Sequence, residues 1–272
     1  MLLEHGIRYG YVNLDDDRLL GIKAVDLNTV LSCIYQLYGT DVPYLFLDEI
    51  QDVDGWHIFV NRLLRSKMKI FVTGSNAKLF SSELATHLTG RYNEIRLFPF
   101  SFAEYCTFHQ IDTAGITTKA ETSRKSAFMD YIGTGGFPEL QRIRNKRGYI
   151  ESLISAILAG ENIGWRLENV VYIELLRHCA YDFRDVYYYK ANPRAKEVDF
   201  VVCDKDKALE LIQVAYEIDT QKSFNRETSA LVQAAGPLHC DKLTLIAFSP
   251  TRGIEIDGKT IHIVSAVEWL LS

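Results

Sequence analysis

Apolar and polar residues alternate from Ile7 to Leu14 (IRYGYVNL) until Asp15, Asp16 and Asp17 interrupt them, which predicts a first strand. From Asp26 onward, Leu27, Val30, Leu31, Ile34, Leu37 and Tyr38 recur at helical spacing, and Gly39 ends the helix. Tyr44 to Leu47 is an unbroken apolar run closed by Asp48 and Glu49, the pattern of a strand buried on both faces with carboxylates at its C-terminal end. Residues 56–65 then read as a helix, 69–73 (KIFVT) as a strand and 78–88 as an amphipathic helix. After the break at Phe98-Pro99, Ser101 and Glu104 form a capping box that opens a short helix, and the sheet-building region is expected to close there.

The second half has another order. A helix at about 166–178 is followed by strands near 185–190, 197–203 and 209–216, a helix near 223–235 and a strand at 243–248. Helix, three strands, helix and strand suggest a separate small α/β domain. The expected division is 1–150 and 151–272, with the seam between Gly148 and Arg166.

Composition adds limits. With 47% hydrophobic, 24% charged and 12% aromatic residues among 272, the chain reads as an ordinary globular protein. No apolar run approaches a membrane span and Met1-Leu2-Leu3-Glu4-His5 lacks a signal-peptide pattern, so a cytoplasmic protein without a membrane partner is expected. Five scattered cysteines encode neither a disulfide framework nor a zinc ribbon and read as buried or inert thiols. Tyr187-Tyr188-Tyr189 alternates in a strand, and core packing is expected for at least two of the three. A formal charge of −5 argues against a uniformly basic nucleic-acid binder and leaves a local basic face open.

The strand ending in Asp48-Glu49 is the first place where chemistry is legible. Asp48 would hold waters of a Mg²⁺ ion and Glu49 would orient or deprotonate an attacking water; two solvated acids at a strand end would give the same letters. The next strand runs into Thr73-Gly74-Ser75-Asn76, which is expected to place the Asn76 amide beside Asp48. Thr89-Gly90-Arg91 puts a guanidinium at an exposed turn, the residue type that stabilises transferring phosphate.

LFLDEIQ (45–51), VTGSNAKLFSSELATHLTGRY (72–92), LFPFSFAEY (97–105) and YIGTGGFPEL (131–140) resemble successive landmarks of AAA-plus-type ATPases of archaea and bacteria whose C-terminal domain is of unknown function. The resemblance implies a P-loop-type parallel sheet, ATP and Mg²⁺ as cofactors, and a homo-oligomer. It makes Asp48 and Glu49 the Walker B pair, Asn76 the sensor, and Arg91 the arginine near a neighbouring subunit's nucleotide. The chain opens at what looks like the family's second strand, so the strand, glycine-rich loop and helix expected upstream are absent and a truncated sheet is expected. Gly253-Ile-Glu-Ile-Asp-Gly258-Lys259-Thr260 satisfies G-x-x-x-x-G-K-[ST], yet alternation on both sides of Asp257-Gly258 predicts a β-hairpin rather than a phosphate loop.

Metal-dependent nucleases of the PD-(D/E)xK type gather acids from one helix and two strands, with a lysine two residues after the second strand acid. The element order suits that core, and Glu168 in LENVVYIELL, Asp199 in EVDFVV and the strand ELIQVAY resemble the family's nuclease-like C-terminal domain, a small restriction-endonuclease-like fold. The E-x-K slot holds Gln213-Val214-Ala215, so the anionic ligand and the ammonium are both missing and DNA cleavage is not expected. A solvated strand edge would equally explain Glu197 and Asp199. A winged-helix-like region usual between the two domains in that family is also expected to be absent; Arg142, Arg144, Lys146 and Arg147 remain at the seam, either a DNA-phosphate contact or a solvated basic helix end. The expected protein is an ATP-binding homologue without autonomous ATPase or nuclease activity; an ATPase completed by a longer chain or a partner, and a DNA-binding module, are the alternatives.

Overall fold

The computed structural model describes residues 6–74, 88, 90–142, 163–192 and 196–272, with the side chain of Arg142 outside this set. The expected helix at 78–88 lies outside it except for Leu88. The described chain is mixed α/β and forms two compact units, residues 1–95 and 96–272.

In the first unit, strands β1 (Tyr9–Asn13), β2 (Tyr44–Asp48) and β3 (Lys69–Val72) make a parallel sheet in that order, linked through helices α1 (Leu27–Tyr38) and α2 (Trp56–Arg65). The register pairs Tyr11 with Phe46 and Asn13 with Asp48, so alternate residues of all three strands share a face. One face, formed by Val12, Leu45, Leu47, Ile70 and Val72, packs on Leu27 and Ile34 of α1 and on Trp56, Phe59, Val60 and Leu63 of α2. Gly10 belongs to this face: a Cβ there would lie 2.9 Å from Cγ2 of Ile34, so only glycine lets α1 approach this closely.

The expectation that β2 is buried on both faces is corrected. Leu45 and Leu47 are buried, whereas Tyr44 and Phe46 are only partly so. They lie on an aromatic face where Phe46 stacks on Phe71 with centroids 4.6 Å apart and Tyr9 meets Phe46 edge-on at 5.6 Å. Bulky aromatic rings shield one another in a row, so an unbroken apolar run was compatible with a half-open face.

The second unit contains α3 (Phe102–Phe108), α4 (Thr118–Thr134), α5 (Ile163–Asp182), β4 (Asp185–Lys190), β5 (Glu197–Asp204), β6 (Lys207–Ala215), α6 (Gln221–Ala235), β7 (Leu243–Ala247), β8 (Arg252–Ile256), β9 (Lys259–Ser265) and α7 (Ala266–Trp269). Its sheet runs β4-β5-β6-β7-β9-β8, antiparallel from β4 to β6, parallel across β6, β7 and β9, and antiparallel again at β8. Helices α3, α4, α5 and α7 cover one face through Phe102, Phe128, Leu167, Val171 and Ala266 against Val202, Ile212, Val214 and Ile246. Helix α6 covers the other through Ala230, Leu231, Ala234 and Ala235 against Val201, Leu211, Leu243 and Leu245.

The capping box forms as expected: Ser101 Oγ accepts from the Glu104 amide at 3.1 Å while Glu104 Oε2 accepts from the Ser101 amide at 2.7 Å. Yet α3 and α4, expected to belong with residues 1–150, pack on the second sheet, because their apolar residues share a core with α5 and α7. The division by packing therefore falls between Ile95 and Arg96, not at the seam near Gly148.

Helix α4 ends at Gly135, whose φ of 72° is the left-handed form suited to glycine. The next residue, Gly136, accepts from the Phe100 amide at 2.7 Å, and a Cβ on it would stand 2.1 Å from the Phe100 carbonyl oxygen. The obstacle is backbone rather than a movable side chain. Gly136→Ala is expected to cost roughly 2–3 kcal/mol of unfolding free energy, read from the urea midpoint at unchanged slope; a midpoint equal to wild type would show that the 99–101 segment yields freely.

Candidate functional site

The sequence-predicted residues fall in both units. At the C-terminal end of β2, the Asp48 carboxylate accepts from the Tyr11 hydroxyl at 2.8 Å and from the hydroxyl of Thr73. Tyr11 comes from β1 and Thr73 from the end of β3, so one hydroxyl from each flanking strand holds the acid of the central one. The hydrogen bond to Asp48, then burial and the carboxylate's charge, raise the Tyr11 phenol above its ordinary value. Thr73 Oγ1 also accepts weakly from the Glu49 amide at 3.4 Å. Glu49 itself is left-handed, with φ 53° and ψ 41°, where the chain turns from β2 into the 3₁₀ turn Ile50–Asp52. Its side chain accepts from Gln51 Nε2.

The Asn76 amide expected beside Asp48 lies outside the described residues; the group found there is the Thr73 hydroxyl. Tyr11 was missed as well, although its position in phase with Tyr9, and so with the face that ends in Asp48, was a readable signal. Arg91 is exposed, as expected, and donates to Asn61 Oδ1 at 3.3 Å.

The literal phosphate-loop string is a hairpin. Strands β8 and β9 pair antiparallel across Asp257 (φ 51°) and Gly258 (φ 73°), the two successive positive φ values of a type I′ turn.

In the second unit, Glu168 of α5, Asp199 of β5 and Gln213 of β6 line one cavity of about 360 Å³ together with Lys196, Glu197, Arg226 and Glu227. The three expected residues do come together, and Glu227 of α6 joins them. Asp199 Oδ2 accepts from the Val214 amide at 2.7 Å. Gln213 Nε2 donates to Glu227 Oε2 at 2.8 Å, and Arg226 Nε donates to Glu227 Oε1 at 2.7 Å. Burial pushes the Asp199 carboxyl up to about 7 against the opposing Val214 amide, with the charges of Glu168, Glu227 and Glu197 adding to the rise. Burial and then the charge of Glu227 raise Glu168 as well.

A solvated strand edge is thus the wrong description of Asp199, because β5 is flanked by β4 and β6 and the side chain faces the cavity. It fits Glu197, which is exposed and paired with Lys190 of β4. The edge strand on this side is β4, where Tyr187 and Tyr188 are 53% and 58% exposed and Tyr189 alone of the three packs against the core. Among the described residues, no three His, Cys, Asp or Glu side chains converge as a metal site. Four of the five cysteines are buried and Cys33 is exposed. Arg142 ends a 3₁₀ turn, Leu140–Arg142, while Arg144, Lys146 and Arg147 lie outside the described residues. No helix among those described is long and apolar enough to cross a membrane.

Two family matches divide the chain between them, the first reaching past Ile95 into α3. Residues 2–106 match a family described as an AAA domain, and residues 164–263 match a domain of unknown function (DUF4143). The chain is 37% identical over 137 residues to an uncharacterized protein of Methanocaldococcus jannaschii, covering 49% of this chain and 30% of that protein. It is 41% identical over 98 residues to an uncharacterized protein of Haemophilus influenzae, covering 36% of this chain and 23% of that protein. These alignments span less than a third of either relative's length. No solved structure matches. The N-terminal region is therefore similar to AAA domains, which are P-loop nucleotide-binding modules, and the C-terminal region to DUF4143.

Proposed function

We propose that the first unit is the acid-bearing half of a nucleotide site and that the chain as given does not hydrolyse ATP by itself. The observation that carries this reading is Asp48, held by Tyr11 and Thr73 at the end of the central parallel strand, where open α/β sheets bind ligands. In this reading Asp48 would hold water of a Mg²⁺ ion, Glu49 would orient the attacking water, Asn76 would sense the terminal phosphate, and Arg91 would serve the nucleotide of a neighbouring copy. Magnesium would supply charge neutralisation on the phosphates. A tight ATP site further requires a cradle of backbone amides and a lysine, and none is present among the described residues of the first unit. Cleavage is not part of the proposal for the second unit, since Gln213 and Ala215 bring neither the anion nor the ammonium that the chemistry needs.

A second reading is that a longer chain or a partner completes the site. It is supported by the half-open aromatic face of β1, β2 and β3, on which Tyr11 and Phe71 are exposed. Thermal unfolding with and without millimolar Mg-ATP, of the chain alone and of a longer chain or a mixture with the partner, separates the two, because a ligand at about 100 times its dissociation constant adds roughly 2.7 kcal/mol. The first reading expects no shift for the chain alone. A shift of the chain alone that Asp48→Asn abolishes would establish a complete site in it and overturn both readings, whereas a shift that appears only with the longer chain or the partner favours the second. DNA contact by residues 142–147 is a separate proposal, and it requires binding that weakens steeply with salt and on Arg142→Ala with Arg144→Ala.

A further inference from the structure

The cavity between α5, β5, β6 and α6 stands where nuclease ligands would be held but lacks their second strand acid and lysine. Its unmet hydrogen-bonding groups ask for something else. Gln213 is 6% exposed, and its amide orientation is settled by Glu227: Nε2 donates to the carboxylate, so Oε1 must point away. That oxygen is buried and has no partner. A flipped amide would set an oxygen against the Glu227 carboxylate and leave an N–H unpaired instead, which is worse on both counts.

The other open positions are acceptors too. Asp199 uses Oδ2 on the Val214 amide and has Oδ1 without a hydrogen bond among the described residues. The Glu168 carboxylate, part-buried in the same lining, makes none among them either. The cations at the rim are engaged: Arg226 holds Glu227, and Lys196 donates to Ser229. A buried acceptor without a donor is costly, so an occupant that donates hydrogen bonds gains at Gln213 Oε1, and its positive charge is drawn to the Asp199 and Glu168 carboxylates. These acids do not converge as a three-ligand metal site, which disfavours a bare divalent ion. A primary ammonium has three N–H donors, as many as the open acceptors that Gln213, Asp199 and Glu168 bring to this cavity. The cavity volume of about 360 Å³ is at the small end of the range for small-molecule sites and admits an aliphatic amine.

We propose that this cavity is a binding site for a primary alkylammonium group, held by Gln213, Asp199 and Glu168 with Glu227 orienting the Gln213 amide. The group can come from a free polyamine or from a lysine side chain of another polypeptide. Calorimetric titration of the full chain at pH 8 with putrescine and with N-acetyl-lysine methylamide distinguishes the sources, with Mg²⁺, Mn²⁺ and n-butanol as comparison ligands. Saturable binding of at least one amine is expected, weakened tenfold or more by Asp199→Asn and by Glu168→Gln, with no response to n-butanol. Glu168→Gln is the second variant because Glu168 lies in a helix and makes no hydrogen bond that the amide would break, so it tests the site if Asp199→Asn disturbs the fold. Binding of both amines that is unchanged in these variants, or no amine binding at millimolar concentration, overturns the proposal. Binding of Mn²⁺ that is lost in the variants while the amines do not bind overturns it in favour of a metal site.

Discussion

Phe128→Ala is expected to lower the unfolding free energy of the second unit by about 3–5 kcal/mol, the cost of deleting a fully buried aromatic side chain. Phe128 has no exposed surface. It meets Phe102 of α3 edge-on, centroids 5.5 Å apart, and stacks on Phe248 beyond β7 at 5.8 Å with the rings 4° from parallel. The one ring thus joins two helices to the sheet, and no neighbour can close the gap without abandoning another ring contact: Phe248 is itself stacked on Tyr216 at 5.8 Å. Against a typical total of 5–15 kcal/mol the loss is large. A fall of roughly 10 °C in the melting temperature follows for a unit of this size. Phe128→Leu should recover more than half of the loss, since most of the apolar volume returns. Denaturant unfolding of the three proteins checks this, and an alanine variant within 1 kcal/mol of wild type would remove Phe128 from the load it is assigned here.

The helix carrying Phe128 was illegible in the sequence, and the reason is specific. Its buried residues are Ala120, Ala127, Phe128, Tyr131 and Ile132, and the intervening position on that face, residue 124, is an arginine. Arg124 does not leave the packing scheme; its guanidinium donates to the carbonyls of Asp112 and Gly115 and closes the loop before the helix. A polar residue used structurally breaks the apolar period by which helices are recognised. Strands β1 to β7 were legible because their alternation or apolar runs survive such exceptions, and the β8–β9 turn because Asp-Gly has few other uses.

The candidate sites were legible unevenly. Asp48 stood out as an acid ending an apolar strand, yet the groups that hold it depend on register between strands far apart in sequence, which no local pattern encodes. Glu168, Asp199 and Gln213 were recognised by resemblance and do share a cavity. Glu227 was missed: in the sequence it is one of many charged residues on an amphipathic helix, and only its position opposite Gln213 makes it a buried carboxylate. Tyr187 and Tyr188 erred the other way, because alternation does not say whether a strand stands at the edge of its sheet.

Asp199→Asn is expected to stabilise the protein at pH 8 by up to about 4 kcal/mol and to have almost no effect at pH 4. In the unfolded chain the carboxyl ionises near its ordinary value of 3.8; in the cavity that value is pushed up to about 7, by burial first and by Glu168, Glu227 and Glu197 after it. Below 3.8 both states hold the proton and the group takes nothing from stability. Between the two values the unfolded chain gives up a proton that the native chain keeps, so stability falls as pH rises, by about 1.4 kcal/mol per unit. Above 7 both states are ionised, and the full penalty of a desolvated carboxylate among other acids persists. Asparagine keeps the acceptor that the Val214 amide requires and cannot ionise, so its advantage should be negligible at pH 4, about half developed by pH 5.5 and level above pH 7. Urea unfolding of both proteins at pH 4, 5.5, 7 and 8 measures this directly. A difference between them that does not change with pH would mean that Asp199 is ionised in the native cavity throughout, with its charge compensated by a group other than those named here.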